Sequence, residues 1–378
     1  MPVSPSLNQF SMMKDRSMKA FVTGGTGFVG QHVVGKLVER GYDVYALARS
    51  ESSAAALEAM GATAVPGDIT DTASMREGMK GSDVVFHVAG WYKLGAPDWM
   101  KAESINVGGT RKVLRLAHEL GIPKIVYTST VAVFGDTHGK LVDESFFQGG
   151  PFLSEYDRTK WLAHYKVALP LIEKGAPIIV VMPGGIYGPG DTSIVAEAMR
   201  LFYSGLPVMP APDTVFTYAH VEDIAEGHIL AAEKGKIGES YVLAGPAIPL
   251  GEIVDFWSHL TGKRAPALRI PSRWLRPFAP LMGVVNSLID LPSLFSQEVV
   301  GLLGVSYMAR SDKARAQLGW QTRPLQTGML ETFAWIAESE AQREAAAPPA
   351  REKQVAAIAL VAAFVLLLLW LFGRRREE

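Results

Sequence analysis

The sequence predicts an α/β fold: a doubly wound parallel sheet with helices on both faces, a smaller C-terminal region and a C-terminal transmembrane helix. Three observations carry this expectation. A strand, a glycine turn and a helix follow one another over Lys19–Arg40. Apolar strand-like runs then alternate with helix-like runs as far as Met182, an order that makes neighbouring strands parallel and covers both faces of the sheet. Finally, no charge interrupts the chain from Val355 to Phe372.

Residues 1–17 are polar and lack the apolar stretch of a signal peptide, so they read as an N-terminal extension, with Met18 an alternative start. The first strand is Lys19–Val22. It runs into Thr23-Gly24-Gly25-Thr26-Gly27-Phe28-Val29-Gly30, and the helix Gln31–Arg40 stops at Gly41. Tyr42–Ala48 is the second strand and ends at Arg49-Ser50. Thr63–Val65 is the third, closed by Gly67, and Val84–Ala89 is a buried strand ending at Gly90. An amphipathic helix occupies Val107–Leu120 and stops at Gly121. Lys124–Thr128 and Ile178–Met182 are further strands.

The glycine turn has the chemistry of an anion site. Backbone N–H groups and the helix dipole point at a bound pyrophosphate, and the glycines let the backbone approach it. With a strand before it and a helix after it, the turn reads as a Rossmann-type dinucleotide site formed by Gly24, Thr26, Gly27, Phe28, Val29 and Gly30. The end of the second strand decides between cofactors. An acidic residue there suits the ribose of NAD, and arginine suits a 2′-phosphate. Arg49 holds that place, so NADP is expected, with NAD as the alternative. Ligands of such a sheet bind beyond the carboxyl ends of its strands, where Asp68, Thr128, Ser129 and Thr130 stand.

Tyr156 and Lys160 lie four residues apart, which puts them on one face of a helix. A phenol titrates near 10 by itself, and a neighbouring ammonium favours the phenolate. The pair therefore reads as a proton relay in which Lys160 lowers the pKa of Tyr156.

Composition limits the alternatives. The chain has 378 residues, 48% of them apolar, and a net charge of −1. It can bury a large core and shows no basic run in its body, which argues against nucleic-acid binding. There is no cysteine, so disulfides, thiol nucleophiles and cysteine-ligated metals are excluded. The eight histidines show no ligand spacing, and no metal site is expected.

Together these residues resemble an extended short-chain dehydrogenase/reductase of the NAD-dependent epimerase/dehydratase group over roughly residues 18–335. The motifs are the glycine turn, Gly67-Asp68-Ile69, His87-Val88-Ala89-Gly90, Asn106-Val107-Gly108-Gly109-Thr110, Tyr127-Thr128-Ser129-Thr130, Tyr156 to Lys160, Pro183 with Gly188-Pro189-Gly190-Asp191, and His220-Val221-Glu222-Asp223. Dihydroflavonol-reductase-like, 3β-hydroxysteroid-dehydrogenase-like and hopanoid-associated proteins are the most similar in pattern. The resemblance implies that Thr130 polarises the substrate oxygen, with Ser129 as a neighbouring backup. It makes Tyr156 the relay, with Lys160 lowering its pKa and holding the nicotinamide ribose. Asp68 and Ile69 would flank the adenine, Ala89 and Pro183 would line the cofactor, and Asn106 would fix a water or the helix geometry. It also implies a homodimer through helices near Ile105–Leu120 and Tyr156–Glu173.

Departures from the family pattern narrow the chemistry. Sugar-nucleotide epimerases clamp a diphosphate with an Arg where this chain has Phe216, and carry a substrate-contacting Asn where it has Gly185. An apolar ring cannot replace a charge-assisted donor. The acid/base pair of the dehydratases is replaced by Val131-Ala132. The expected activity is an NAD(P)-dependent interconversion of a hydroxyl and a ketone on an apolar, sterol-, isoprenoid- or hopanoid-like substrate. The alternatives are a sugar or sugar-nucleotide epimerase and a non-catalytic, cofactor-sensing scaffold at the membrane. Pro271–Val305, rich in Trp, Leu, Phe, Pro and Val, reads as an apolar substrate pocket or membrane-facing lip.

The expected domains are residues 18–337, with a cofactor part mainly in 18–182 and a substrate part mainly in 183–335. A linker over 338–354, an anchor over 355–372 and a basic tail over 373–378 follow. At about 1.5 Å per residue the anchor would reach about 27 Å, near the thickness of a bilayer core. The catalytic domain is placed in the cytoplasm, where its cofactor is.

Overall fold

The computed structural model describes residues 17–93, 98–278 and 297–346. In chain order its strands are β1 (Lys19–Thr23), β2 (Asp43–Ala48), β3 (Thr63–Pro66), β4 (Val84–His87), β5 (Ile125–Thr128), β6 (Ile178–Pro183), β7 (Gly185–Tyr187), β8 (Val208–Pro210), β9 (Val215–His220), β10 (Ser240–Leu243), β11 (Ala247–Pro249), β12 (Leu268–Ile270) and β13 (Ser306–Tyr307). Seven of them form a parallel sheet in the order β10-β6-β5-β4-β1-β2-β3. The direction of winding reverses between β1 and β4, which opens a crevice at their carboxyl ends.

A sheet covered on both faces needs strands that are apolar throughout. All six residues of β6 are accordingly buried, as are all four of β4. One core cluster joins Phe21, Val85, Ile125 and Ile178 to the helices on one face. The other joins Val22, Phe86, Val126 and Ile179 to those on the opposite face. The strands expected from sequence are present in the expected order. β10 was not among them, because a short apolar run does not by itself distinguish strand from helix.

Two helical segments shape the site. The first begins at Trp99, earlier than expected, runs as a π-helix over Ser104–Gly109 and continues as an α-helix over Thr110–Glu119. The second starts at Glu155, where the Ser154 hydroxyl accepts from the N–H of Asp157, and turns into a π-helix over Leu162–Ala168 before its last α-helical turn, Leu169–Glu173. π-turns inside helices often mark functional sites.

The chain divides into two compact units. One comprises residues 1–187, 215–248 and 305–325, and the other residues 188–214, 249–304 and 326–378. The expected cut near residue 183 is therefore interleaved. Residues 215–248 and 305–325 return to the unit of the large sheet because β10 pairs with β6 and β9 pairs with β7 and β13. Within the second unit β8 pairs with β12, and Phe202, Trp257 and Phe333 pack ring on ring at 5.6–5.9 Å.

The last helix, Leu325–Ala346, extends into the stretch expected to be linker. Among the described residues no helix is long and apolar enough to cross a membrane. The expected anchor and basic tail, most of the N-terminal extension, and residues 279–296 within Pro271–Val305 lie outside the described residues.

Candidate active site

The glycine turn joins β1 to the helix Phe28–Glu39. Gly24 has φ +77°, and a Cβ there would stand 2.6 Å from the amide nitrogen of Ala89. A Cβ on Gly30 would be 1.9 Å from the carbonyl oxygen of Gly24, so neither position admits a side chain. The N–H of Gly27 donates to Gly24 at 2.9 Å. The helix has no side-chain cap at Gly27 and no acidic residue in its first turn. Its first N–H groups lack intrahelical partners, and this donor set fits a pyrophosphate. Thr26 and Gly27 are exposed beside it, and Phe28 and Val29 are half-buried.

At the adenine end, Arg49 is exposed at the tip of β2. The carboxylate of Asp68 accepts from the N–H and hydroxyl of Thr70, both at 2.7 Å. Burial works to raise its pKa, but the two Thr70 bonds and the charges of Arg49 and Lys112 hold it below the usual carboxylate range. Arg49 and Asp68 thus sit in one electrostatic neighbourhood. Ile69 departs from expectation: its side chain is buried in the core, closely packed against Gly109, so only its backbone can face a ligand. Pro183, at the end of β6, is likewise buried, and Ala89 is half-buried.

The structure brings Thr130 and Tyr156 together. The oxygen of Thr130 accepts from the N–H of Ala132 at 3.1 Å, capping the short helix Val131–Phe134. That bond orients the hydroxyl, which stands near enough to the phenol of Tyr156 to oppose the rise in its pKa. The expected direction of the Tyr156 shift is corrected, however. Burial raises its pKa above the ordinary phenol value; the Thr130 hydroxyl opposes this and the Asp157 charge adds to it. Lys160 does not enter the balance. Its Nζ donates to the carbonyl of Thr128 at 2.7 Å and lies 5.2 Å from the ring centre of Tyr127. Burial brings its own pKa down to about 7.

Ser129 is buried, with its oxygen 2.9 Å from Nδ1 of His164. His164 is kept neutral, its pKa brought down to about 3 by burial and the Lys160 charge. Asn106 serves the helix geometry. Its amide oxygen accepts from Trp91 at 2.7 Å, and its nitrogen donates to the Trp91 carbonyl and to the Thr159 hydroxyl, both at 3.0 Å.

Four site residues escaped the sequence reading: His164, Tyr92, Asp157 and Tyr307. The ring of Tyr92 stands edge-on to Tyr156 at 4.8 Å and 84°. The buried carboxylate of Asp157 accepts from the hydroxyl of Tyr307 at 2.9 Å across 150 positions of chain. Asp157 was visible inside the Tyr-Lys motif, but a carboxylate in a first helical turn ordinarily reads as a charge on the helix dipole. Its partner could not be found by spacing. Phe216 lies flat on Tyr307 at 5.8 Å and 7°. A Cβ on Gly185 would stand 2.8 Å from the carbonyl oxygen of Thr217, so the backbone leaves no room for an asparagine.

The family model described as the NAD dependent epimerase/dehydratase family matches residues 20–244. Sterol demethylase protein B of Methylococcus capsulatus is 28% identical over 85% of this chain and 99% of its own length. A 4-hydroxy-2-methyl-3-oxo-4-farnesyl-3,4-dihydroquinoline-1-oxide ketoreductase of Stigmatella aurantiaca is 33% identical over 81% of this chain and 92% of its own. The crystal structure of gox2253 superposes with a TM-score of 0.74 at 33% identity, covering 86% of this chain and 99% of that one. With the dinucleotide turn, the Thr130–Tyr156 contact and these relatives in view, the chain belongs to the NAD-dependent epimerase/dehydratase family and is an NAD(P)-dependent oxidoreductase.

Proposed function

We propose that this protein is an NADP-dependent oxidoreductase that interconverts a hydroxyl and a ketone on an apolar, sterol- or isoprenoid-like substrate. The observation that carries this reading is the pair of substitutions on the substrate side. Phe216, stacked on Tyr307, stands where a diphosphate-clamping arginine would be, and Gly185 has no space for the sugar-contacting asparagine. A nucleotide diphosphate entering here would lose its charge-assisted partners. The Methylococcus relative is named for a sterol and the Stigmatella relative for a farnesylated ketone, in keeping with an apolar substrate. For the cofactor, Arg49 at the strand end and the hydroxyls of Ser50, Ser52 and Ser53, grouped at 3.0 Å, suit a 2′-phosphate.

The residues divide the work. Thr130 donates to the substrate oxygen and holds it beside Tyr156. Tyr156 passes a proton to that oxygen in reduction and takes it back in oxidation. Its raised pKa keeps it protonated at neutral pH, which favours its role as acid. Lys160, fixed on the Thr128 carbonyl, would hold the nicotinamide ribose when the cofactor is bound. The nicotinamide, when bound, supplies or accepts the hydride. Val355–Phe372 anchors the chain in a membrane with its catalytic domain in the cytoplasm, so that an apolar substrate reaches the site from the bilayer.

The test is NADPH oxidation by the full chain in detergent or vesicles. Steroid and polyprenyl ketones are offered beside UDP-sugars, and NADH is run in parallel. Turnover of the apolar ketones with NADPH is expected. Epimerisation of a UDP-sugar on a tightly held cofactor, with no turnover of apolar ketones, would overturn the reading.

A further inference from the structure

Three observations converge on one wall of the site. Tyr92 stands edge-on to the relay phenol. Phe216 is laid flat on Tyr307 and also meets Tyr218 at 6.4 Å. The hydroxyl of Tyr307 donates to Asp157, the residue beside Tyr156 in the same helix. Tyr92 and Asp157 both act on the phenol of Tyr307 electrostatically, so these groups are neighbours. A small pocket flanks the wall, lined by Ala132, Val133, Phe152, Leu153 and Asp157 among others. Thr130, the hydroxyl that faces Tyr156, immediately precedes the short helix that contributes Ala132 and Val133.

We propose that Tyr92 and Phe216, the latter held flat by the Tyr307–Asp157 bond, are specificity-determining residues that select substrates with a rigid, fused hydrocarbon ring system next to the reacting carbon. The inference rests on the oxidoreductase reading and names what its substrate pocket selects. The physical argument is rigidity matched to rigidity. Aromatic rings with few rotatable bonds offer fixed flat faces, and Tyr307 has its one polar group satisfied by Asp157. A fused ring system can cover such faces without losing internal freedom, whereas an open chain of equal carbon number must freeze its rotamers to do the same. Tyr307 and Asp157 act through Phe216 and the helix, and are positioning residues.

The experiment compares a steroid ketone with a linear methyl ketone of equal carbon number, using the full chain and NADPH. Tyr92→Leu and Phe216→Leu should each raise KM for the steroid ketone about tenfold, with kcat changed less than about threefold and the linear ketone affected less than about twofold. Tyr92→Phe, which keeps the ring, should restore the wild-type KM. Tyr307→Phe should give an intermediate rise, because the stack remains but its tether is gone. Equal changes for both ketones, or a loss confined to kcat, would overturn the proposal. A second arm measures steroid-ketone affinity by tryptophan fluorescence without turnover, on variants whose thermal melts match the wild type. If the wild type reduces neither ketone, the oxidoreductase reading fails while the binding arm still judges the wall. No binding of the steroid ketone to the wild type, or binding equally tight in Tyr92→Leu and Phe216→Leu, would overturn the wall itself.

Discussion

The hydroxyl of Ser129 lies 2.9 Å from Nδ1 of His164, buried behind the helix that carries Tyr156 and Lys160. Thr130, the next residue, stands beside Tyr156 and opposes the rise in its pKa. Two adjacent hydroxyls at one strand end thus have separate tasks: one braces the π-turn of the catalytic helix, the other faces the relay. Ser129→Ala should therefore lower stability by about 1–3 kcal/mol, because it strands a buried histidine, and change kcat only a few-fold. Thr130→Ala should lower kcat on the order of a hundredfold with a near-normal melting temperature. Parallel melts and steady-state rates separate the two. A reversed pattern would reassign the catalytic hydroxyl to Ser129.

Tyr156→Phe removes the phenol hydroxyl beside Thr130 and keeps the ring against Tyr92. A loss of kcat between roughly a hundredfold and ten-thousandfold is expected, with NADPH affinity by fluorescence titration within a factor of about two. Substantial turnover in this variant would mean that another group supplies the proton.

Lys160 gives a pH signature. Burial brings its pKa to about 7 in the folded chain, from an ordinary 10.5. Between those values the unfolded chain binds a proton that the folded chain does not, so stability rises with pH across that window. Below about 7 both states are charged, and the folded state carries the full cost of the buried ammonium. Lys160→Met should consequently be more stable than the wild type near pH 6, and the gap should narrow towards about pH 9. Melting temperatures at the two pH values measure it, and a gap independent of pH would show that Lys160 is not buried as an amine. The histidines act at lower pH. His87 and His164, both at about 3, are protonated in the unfolded chain from about 6.5 downward, so acid should destabilise the fold from there.

Asn106 ties the π-turn Ser104–Gly109 to Trp91 and Thr159 with three bonds. Asn106→Ala should cost about 2–3 kcal/mol, since it leaves buried partners unpaired. Its KM and kcat should both change, because Thr159 adjoins Lys160. Urea unfolding at fixed pH measures the cost, and a loss below about 0.5 kcal/mol would remove Asn106 from this role.

Gly185→Asn places a Cβ 2.8 Å from the Thr217 carbonyl. It should lower stability by roughly 1–3 kcal/mol through overpacking and should not create affinity for UDP-sugars, even combined with Phe216→Arg. Calorimetric titration with UDP-glucose tests this directly. Micromolar binding by the double variant would show that these two positions alone separate this chain from the sugar-nucleotide enzymes.

Local rules made much of this protein legible. A strand, a glycine turn and a helix are consecutive in sequence, so Gly24, Gly27 and Gly30 could be assigned before any contact was known. Tyr156 and Lys160 share a helix face for the same reason, and the alternation of apolar runs dictated a parallel sheet. The expectation that Lys160 lowers the Tyr156 pKa did not hold, because burial depends on what packs around a residue. That a four-residue spacing puts two side chains on one face says nothing about the dielectric they share.

The sequence by itself determined the first six sheet strands in chain order and the glycine turn that follows β1, because each depends on neighbours a few residues apart. Only the tertiary structure decided that Ser129 turns to His164, that Asp157 meets Tyr307 and that Phe216 lies flat on that ring. It also decided that residues 215–248 and 305–325 return to the unit that holds the large sheet. These are contacts between distant segments, selected by burial, ring geometry and the need to satisfy every polar group removed from water, and no local periodicity encodes them.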